Sequence, residues 1–305
     1  MKKFLVAGLI NIETTVSVNQ FPIEYSPIDY RFFGVESTVS GVGYNVAKAL
    51  TTLGAEASLL SLIGDDIYKN LILSELEKEN IDTTYIRADL DSIPQSVVLY
   101  DNEGKRKINL DLKDIQDRKY PIDNISEILK PMDMVALCNI NFSRSLLEEA
   151  KRAGKIIASD VHVVDNTEDD YNKDFMAYAD ILFMSNENIL GREKDFIQEV
   201  AEKFDNEIIV IGMGSEGALL YVKKDKKITR FEAVSTRKIV STIGAGDALF
   251  TSFIYFYSKD QDPYTALKNA IVFASYKIGE KGAASGFLSE EELLKITKEG
   301  YLSNE

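Results

Sequence analysis

A chain of 305 residues, 45% hydrophobic and 28% charged, has globular composition and can bury a sizeable core. A net charge of −14 argues against a nucleic-acid surface or an anionic membrane as partner, and no segment nears the roughly 18 consecutive apolar residues of a membrane span. One cysteine, Cys138, excludes an internal disulfide framework and fits a reducing cytoplasm, while His162, the one histidine, has no Cys partner for a zinc site and reads as a strand-end or loop residue.

In chain order, the apolar run at residues 4–9 reads as a first strand rather than a signal peptide, because no small-residue cleavage site follows it. Runs at residues 57–63, 134–139, 155–161, 180–185 and 207–213 read as further buried strands. Between them, helical patterns cover residues 45–53, 66–79, 145–153 and 194–204, the third opened by a capping box of Ser145 with Glu148. Another helix covers residues 248–257, and a last long one starts at Pro263 with Asp262 as its cap and ends near Gly279. Such alternation predicts an α/β fold with a mainly parallel sheet covered on both faces. Two stretches break the pattern. Residues 14–38 carry prolines and polar-alternating β-formers, and residues 96–112 read as a hairpin turning through Asp101-Asn102-Glu103-Gly104. Lacking a helix to cover them, they predict a small antiparallel sheet with one face left for substrate or a second subunit.

The segment Ser241-Thr242-Ile243-Gly244-Ala245-Gly246-Asp247 sets two glycines and a carboxylate where a helix begins. Backbone N–H groups of Gly244, Ala245 and Gly246 at that N-terminus, with the helix dipole, favour an anion, and Asp247 lies within reach of whatever attacks a phosphorus. The plain alternative is a glycine-rich helix start with an acidic first turn. Gly212-Met213-Gly214-Ser215-Glu216-Gly217 has the spacing of a dinucleotide fingerprint, but a second β-type run follows it, so a strand–turn–strand is expected. No Walker-type phosphate loop occurs. Ser40-Gly41-Val42-Gly43-Tyr44-Asn45 again sets glycines before a helix. With Asn11 and Glu13 at the end of the first strand, it forms an amide and carboxylate cluster suited to sugar hydroxyls.

These residues resemble the PfkB family of carbohydrate kinases, the ribokinase-like family. Ser241 to Asp247 is similar to its Asp/Asn-Thr-x-Gly-Ala-Gly-Asp signature, and Ser40 to Ala47 resembles its Gly-Gly-x-x-x-Asn-x-Ala signature. Gly8-x-x-Asn11 and Lys281-Gly282-Ala283 also fit. The resemblance covers nearly the whole chain and implies one domain over residues 1–305. That domain is a three-layer Rossmann-like sandwich with a β-sheet lid drawn from about residues 12–40 and 92–118. It implies transfer of the γ-phosphoryl of ATP, with Mg²⁺, to a hydroxymethyl group of a small sugar such as ribose or fructose. Asp247 is then the general base, and Gly244, Ala245 and Gly246 form the anion hole. Asn11, Glu13, Gly41, Gly43, Asn45 and Asn141 are implied for the sugar. Asn186, Gly214, Glu216, Gly217, Thr242 and Asn269 are implied for the nucleotide.

Three departures bear on that carry-over. Ile189 stands where the family often has the glutamate of Asn-x-x-Glu that arranges water around Mg²⁺, leaving Asn186 and, as a substitute, Glu187. Ser241 and Ile243 replace polar residues of the monovalent-cation site, so potassium activation is less expected here than in the family at large. Ser40 replaces the first glycine of its signature. The rival readings are a nucleoside kinase of the pseudouridine type, with Tyr25, Tyr30, Phe32 and Phe33 as stacking partners, and an idle binding protein. Those aromatics are instead expected to pack a lid-to-lid homodimer.

Overall fold

The computed structural model describes residues 1–101, 105–121 and 123–299. The strands are β1 (Lys3–Ala7), β2 (Asn11–Ser17), β3 (Val35–Ser40), β4 (Glu56–Gly64), β5 (Ile86–Leu90), β6 (Gln95–Tyr100), β7 (Arg106–Asp111), β8 (Met134–Leu137), β9 (Ile156–Val163), β10 (Ile181–Ser185), β11 (Ile208–Gly212), β12 (Ala218–Val222) and β13 (Lys227–Phe231). The helices are α1 (Val42–Leu53), α2 (Lys69–Lys78), α3 (Ile125–Leu129), α4 (Asn141–Arg152), α5 (Lys173–Tyr178), α6 (Glu193–Lys203), α7 (Ala245–Asp260), α8 (Pro263–Lys277) and α9 (Glu290–Glu299).

Nine strands form the main sheet in the order β13-β12-β11-β10-β9-β8-β1-β4-β5. It is parallel from β11 to β5, and β12 and β13 run antiparallel at one edge. Both faces are covered, which is why its strands read as continuous apolar runs. On β1, Phe4 and Val6 join the core packed under α1, α7 and α8, whereas Leu5 and Ala7 join the one under α4, α5 and α6. That alternation is the period-2 geometry of a strand buried on both sides.

The lid is a separate sheet in the order β3-β2-β6-β7. Its central pair, β2 with β6, is parallel, which corrects the all-antiparallel expectation. β6 follows β5 of the main sheet rather than a hairpin partner of β2, so the chain arrives in the same sense as β2. The β6–β7 hairpin forms as expected, but its turn residues 102–104 lie outside the described residues. A second correction concerns α4, which starts at Asn141 rather than at Ser145. The Ser145 hydroxyl donates to the Phe142 carbonyl at 3.2 Å inside the helix, so the Ser-x-x-Glu spacing is not a capping box here. At α8 the cap forms as expected, with an Asp262 carboxylate oxygen accepting from the Tyr264 N–H at 3.0 Å.

Candidate active site

Parallel registers that set Ala7 beside Leu60 and Leu137, and Ser185 beside Gly212, open the loops after these strands on one edge of the sheet. Ligands of open α/β sheets bind at that edge. Helix α1 starts directly on the end of β1. Gly41 caps it at φ 102°, and a Cβ on Gly43 would lie 2.5 Å from the Gly8 carbonyl carbon, so only glycine permits this approach. The contact aims the first turn of α1 at α7. Asn45 Nδ2 donates to Asp247 Oδ2 at 2.7 Å, joining residues 202 apart in sequence.

Asp247 is the third residue of α7, whose N-cap is Gly244 at φ 74°. A Cβ on Gly244 would lie 2.4 Å from the Ala283 carbonyl oxygen, so the 282–283 loop presses against this turn. Among the described residues, the N–H groups of Gly244, Gly246 and Asp247 have no hydrogen-bond partner. The Ala245 N–H instead donates to the Thr242 carbonyl at 3.2 Å, which removes one of the donors expected to face an anion. Burial raises the Asp247 carboxyl above its ordinary range against the pull of His162, Asn45 and Lys277, and the Asp160 charge adds to the rise.

Asn11 and Glu13 lie in β2 rather than at the end of β1, and both are buried. Asn11 Nδ2 donates to Ser96 Oγ of β6 at 3.0 Å, tying lid strand to lid strand. Burial first, and the charge of Asp247 second, raise the Glu13 carboxyl, while Lys277 and Arg106 oppose the rise. Among the described residues, Asn11 Oδ1, Glu13 Oε1 and Asn45 Oδ1 are buried acceptors without a hydrogen-bond partner. An orphaned buried polar atom costs about 1–3 kcal/mol, so three on β2 and the first turn of α1 mark a place where hydroxyl donors belong.

On the other side, Asn186 follows β10 and donates through Nδ2 to Glu193 Oε1 at 3.1 Å. Burial acts to raise the Glu193 carboxyl, but the Asn186 amide, backbone N–H groups and Arg230 outweigh it and hold it below its ordinary range. Glu187 is exposed, and Ile189 is buried in the core. The glycine-rich segment forms the expected strand–turn–strand: Gly214–Glu216 is a 3₁₀ turn and Gly212 pairs with Ala218 across antiparallel strands. Glu216 pairs with Arg230 at 3.3 Å, and Gly217 holds φ 87° at the turn's end. Thr242 is exposed and accepts from Arg106 Nη1 at 3.3 Å, whereas Asn269 is buried within α8.

Residues 1–290 match the model of the pfkB family of carbohydrate kinases. The chain belongs to that family. It is 24% identical to a ribokinase of Dictyostelium discoideum, over 94% of this chain and 98% of that one. It is 26% identical to an ATP-dependent ribose-1-phosphate kinase of Halopiger xanaduensis, over 93% and 95% of the two chains. The solved structure of a microbiome-derived acarbose kinase is similar with a TM-score of 0.89 at 25% identity, covering 97% of this chain and 99% of that one.

This pfkB-family protein, an ATP-dependent carbohydrate kinase, thus brings Glu13, Asn45 and Asp247 into one cluster, with Asn11 two residues from Glu13 on the same face of β2. Asn141 is not joined to it by any contact among the described residues. Its amide donates to the Gln116 carbonyl at 2.9 Å and its Oδ1 accepts from Arg144 at 3.4 Å, so its polar atoms hold the Ile115–Asp117 turn. Sequence reasoning missed several residues that the kinase places here. Asp160 and His162, at the end of β9, both act electrostatically on Asp247. Arg106 reaches Thr242 from the lid. Glu193 takes the Asn186 amide, and Lys277 lies under the Gly244 turn. A strand-end Asp-x-His at the ligand edge was a usable signal for the first pair; the other contacts had no signature in spacing.

Proposed function

We propose that this protein transfers the γ-phosphoryl of ATP to a hydroxymethyl group of a small sugar, with Asp247 as the base. The observation that carries this reading is the 2.7 Å hydrogen bond from Asn45 to Asp247 beside the orphaned acceptors of Asn11, Glu13 and Asn45. Sugar hydroxyls donating to those acceptors would fix the ring and leave one hydroxymethyl oxygen near Asp247. Asn45 holds Oδ2, and among the described residues Oδ1 has no hydrogen-bond partner, so Oδ1 is the atom to take the hydroxyl proton as the oxygen bonds to phosphorus and the bond to ADP breaks. An oriented base of this kind supplies about 10²- to 10⁴-fold. The N–H groups of Gly244 and Gly246 at the positive end of α7 would meet the charge on the transferring group.

ATP-dependent transfer ordinarily uses Mg²⁺, which keeps several waters and takes one or two carboxylates plus phosphate oxygens rather than a protein cage. The donor set fits that habit. Among the described residues no group of three or more His, Cys, Asp or Glu side chains gathers as a cage, yet Glu193 is a carboxylate held ionised by Asn186. Glu193 would hold the hydrated ion, which supplies charge neutralisation at the phosphates. The turn at Gly214, Glu216 and Gly217, with Thr242 and Asn269, is assigned to the nucleotide. Exposed apolar side chains on the lid support a homodimer formed there, and the one thiol, buried in Cys138, fits a cytoplasmic setting.

The test is ADP release with Mg·ATP against a panel of pentoses, hexoses and nucleosides. An acceptor-dependent rate that Asp247→Asn lowers by at least about a hundredfold, with acceptor and nucleotide still bound, is the expected result. Near-normal turnover in that variant would remove Asp247 as the base.

A further inference from the structure

Lys277 is the last residue of α8, a place where lysine normally extends to solvent and complements the helix dipole. Here it is wholly buried. Its ammonium turns inward and donates to the carbonyls of Ile243 and Gly282, the second at 2.7 Å. Ile243 immediately precedes the Gly244 cap of α7. Gly282 immediately precedes Ala283, whose carbonyl occupies the space a Cβ on Gly244 would need. One cation therefore ties together the two loops whose contact shapes the turn bearing the free N–H groups. Val98 of lid strand β6 packs on Ile243 and Ala283, so the same two loops are the surface on which the lid rests.

Carbonyl oxygens converging on a buried positive centre are the ligands a monovalent metal ion takes. In this chain the cation is covalently supplied. Resting on the kinase reading above, we propose that Lys277 is a positioning residue, a built-in cation that pins the phosphoryl-binding turn and makes turnover independent of added monovalent ions. The charged groups facing it come from several elements: Asp247 on α7, Glu13 on β2, Arg106 on β7, and Arg237 in the segment between β13 and α7. Burial pushes the ammonium down to about 8, with Asp247 and Glu13 resisting and both arginines adding to the fall. At neutral pH the cation is present, and it is lost as pH rises past that value.

The first experiment measures the wild-type enzyme in potassium, sodium and tetramethylammonium buffers of equal ionic strength. Rates within about twofold of one another are expected, and potassium stimulation of about tenfold or more would overturn the proposal. A readout independent of turnover is the shift in thermal midpoint caused by a non-hydrolysable ATP analogue. It should be the same in all three buffers, and a shift that appears only in potassium counts against a built-in cation whether or not an acceptor has been found. In Lys277→Met, kcat should fall by about tenfold or more with little change in acceptor KM, and the loss of rate above pH 8 should disappear. In Lys277→Ala, methylammonium should restore part of kcat where tetramethylammonium does not. Retention of wild-type kcat and alkaline limb in the Met variant, or equal response of the Ala variant to both ions, would overturn the assignment.

Discussion

Asp247 must be ionised to accept a proton, yet burial favours its neutral form. The Asn45 amide is the neutral donor that offsets this, at 2.7 Å from Oδ2. A hydrogen bond to a charged group contributes about 1.5–3 kcal/mol, so Asn45→Ala should lower kcat/KM by roughly ten- to a hundredfold. Losing the donor raises the Asp247 carboxyl further, so the acid limb of the rate profile should move to higher pH. A limb that stays in place would mean Asn45 binds substrate without orienting the base. The sign for stability is the reverse of the usual carboxylate case. A folded value above the unfolded one means the native state binds the extra proton, so stability falls as pH rises through that window. Asp247→Asn should therefore melt higher than wild type at pH 7, with the gap closing in acid. The Gly-Ala-Gly-Asp string announced this aspartate because its parts are adjacent in sequence. Lys277 had no such mark: in sequence it is an ordinary last-turn lysine, and only the approach of two distant loops turns it inward.

At the scale of elements, the buried strands were legible because a sheet covered on both faces needs unbroken apolar runs. The start of α4 was not, since Ser145 and Glu148 have capping-box spacing but the helix already runs from Asn141. The loop after β10 bears on the Mg²⁺ proposal. Sequence spacing offered Glu187 beside Asn186, but the chain turns so that Glu187 faces solvent and Glu193, in the first turn of α6, receives the Asn186 amide. Acidic residues at a helix N-terminus are favoured by the dipole, which leaves Glu193 ionised and fixed. Glu193→Gln should raise the Mg²⁺ concentration for half-maximal rate by about ten- to a hundredfold, the loss that follows when outer-sphere metal partners are removed. Glu187→Gln should change it by less than about twofold, consistent with an exposed surface side chain. A titration of rate against Mg²⁺ for both variants decides between them, and the opposite ranking would return the role to Glu187.

At the scale of the molecule, the charge of −14 sets a problem for any self-association, because like charges on two copies repel. The lid offers the apolar area to overcome it. Tyr25, Tyr30, Phe32 and Phe33 are 75–100% exposed, Tyr30 stacks on Phe32 at 6.1 Å, and Ile108 and Leu110 stand exposed on β7. Large apolar side chains left exposed on an isolated protomer are the material of an interaction site. A second copy meeting lid to lid would cover it and would also shield the strands that carry Asn11, Glu13 and Ser96. Light scattering at micromolar concentration should report a dimer of the 34.2 kDa chain. Paired Phe32→Asp and Phe33→Asp changes should yield a monomer, because each buries a charge in the interface while touching little within its own protomer. The ionic-strength response separates this from an association held by ion pairs: screening the net charge should tighten the dimer, whereas salt-bridged subunits would loosen. A wild-type monomer at that concentration would leave the lid's apolar face to the acceptor, and the screen should then favour acceptors large enough to reach the aromatic strap.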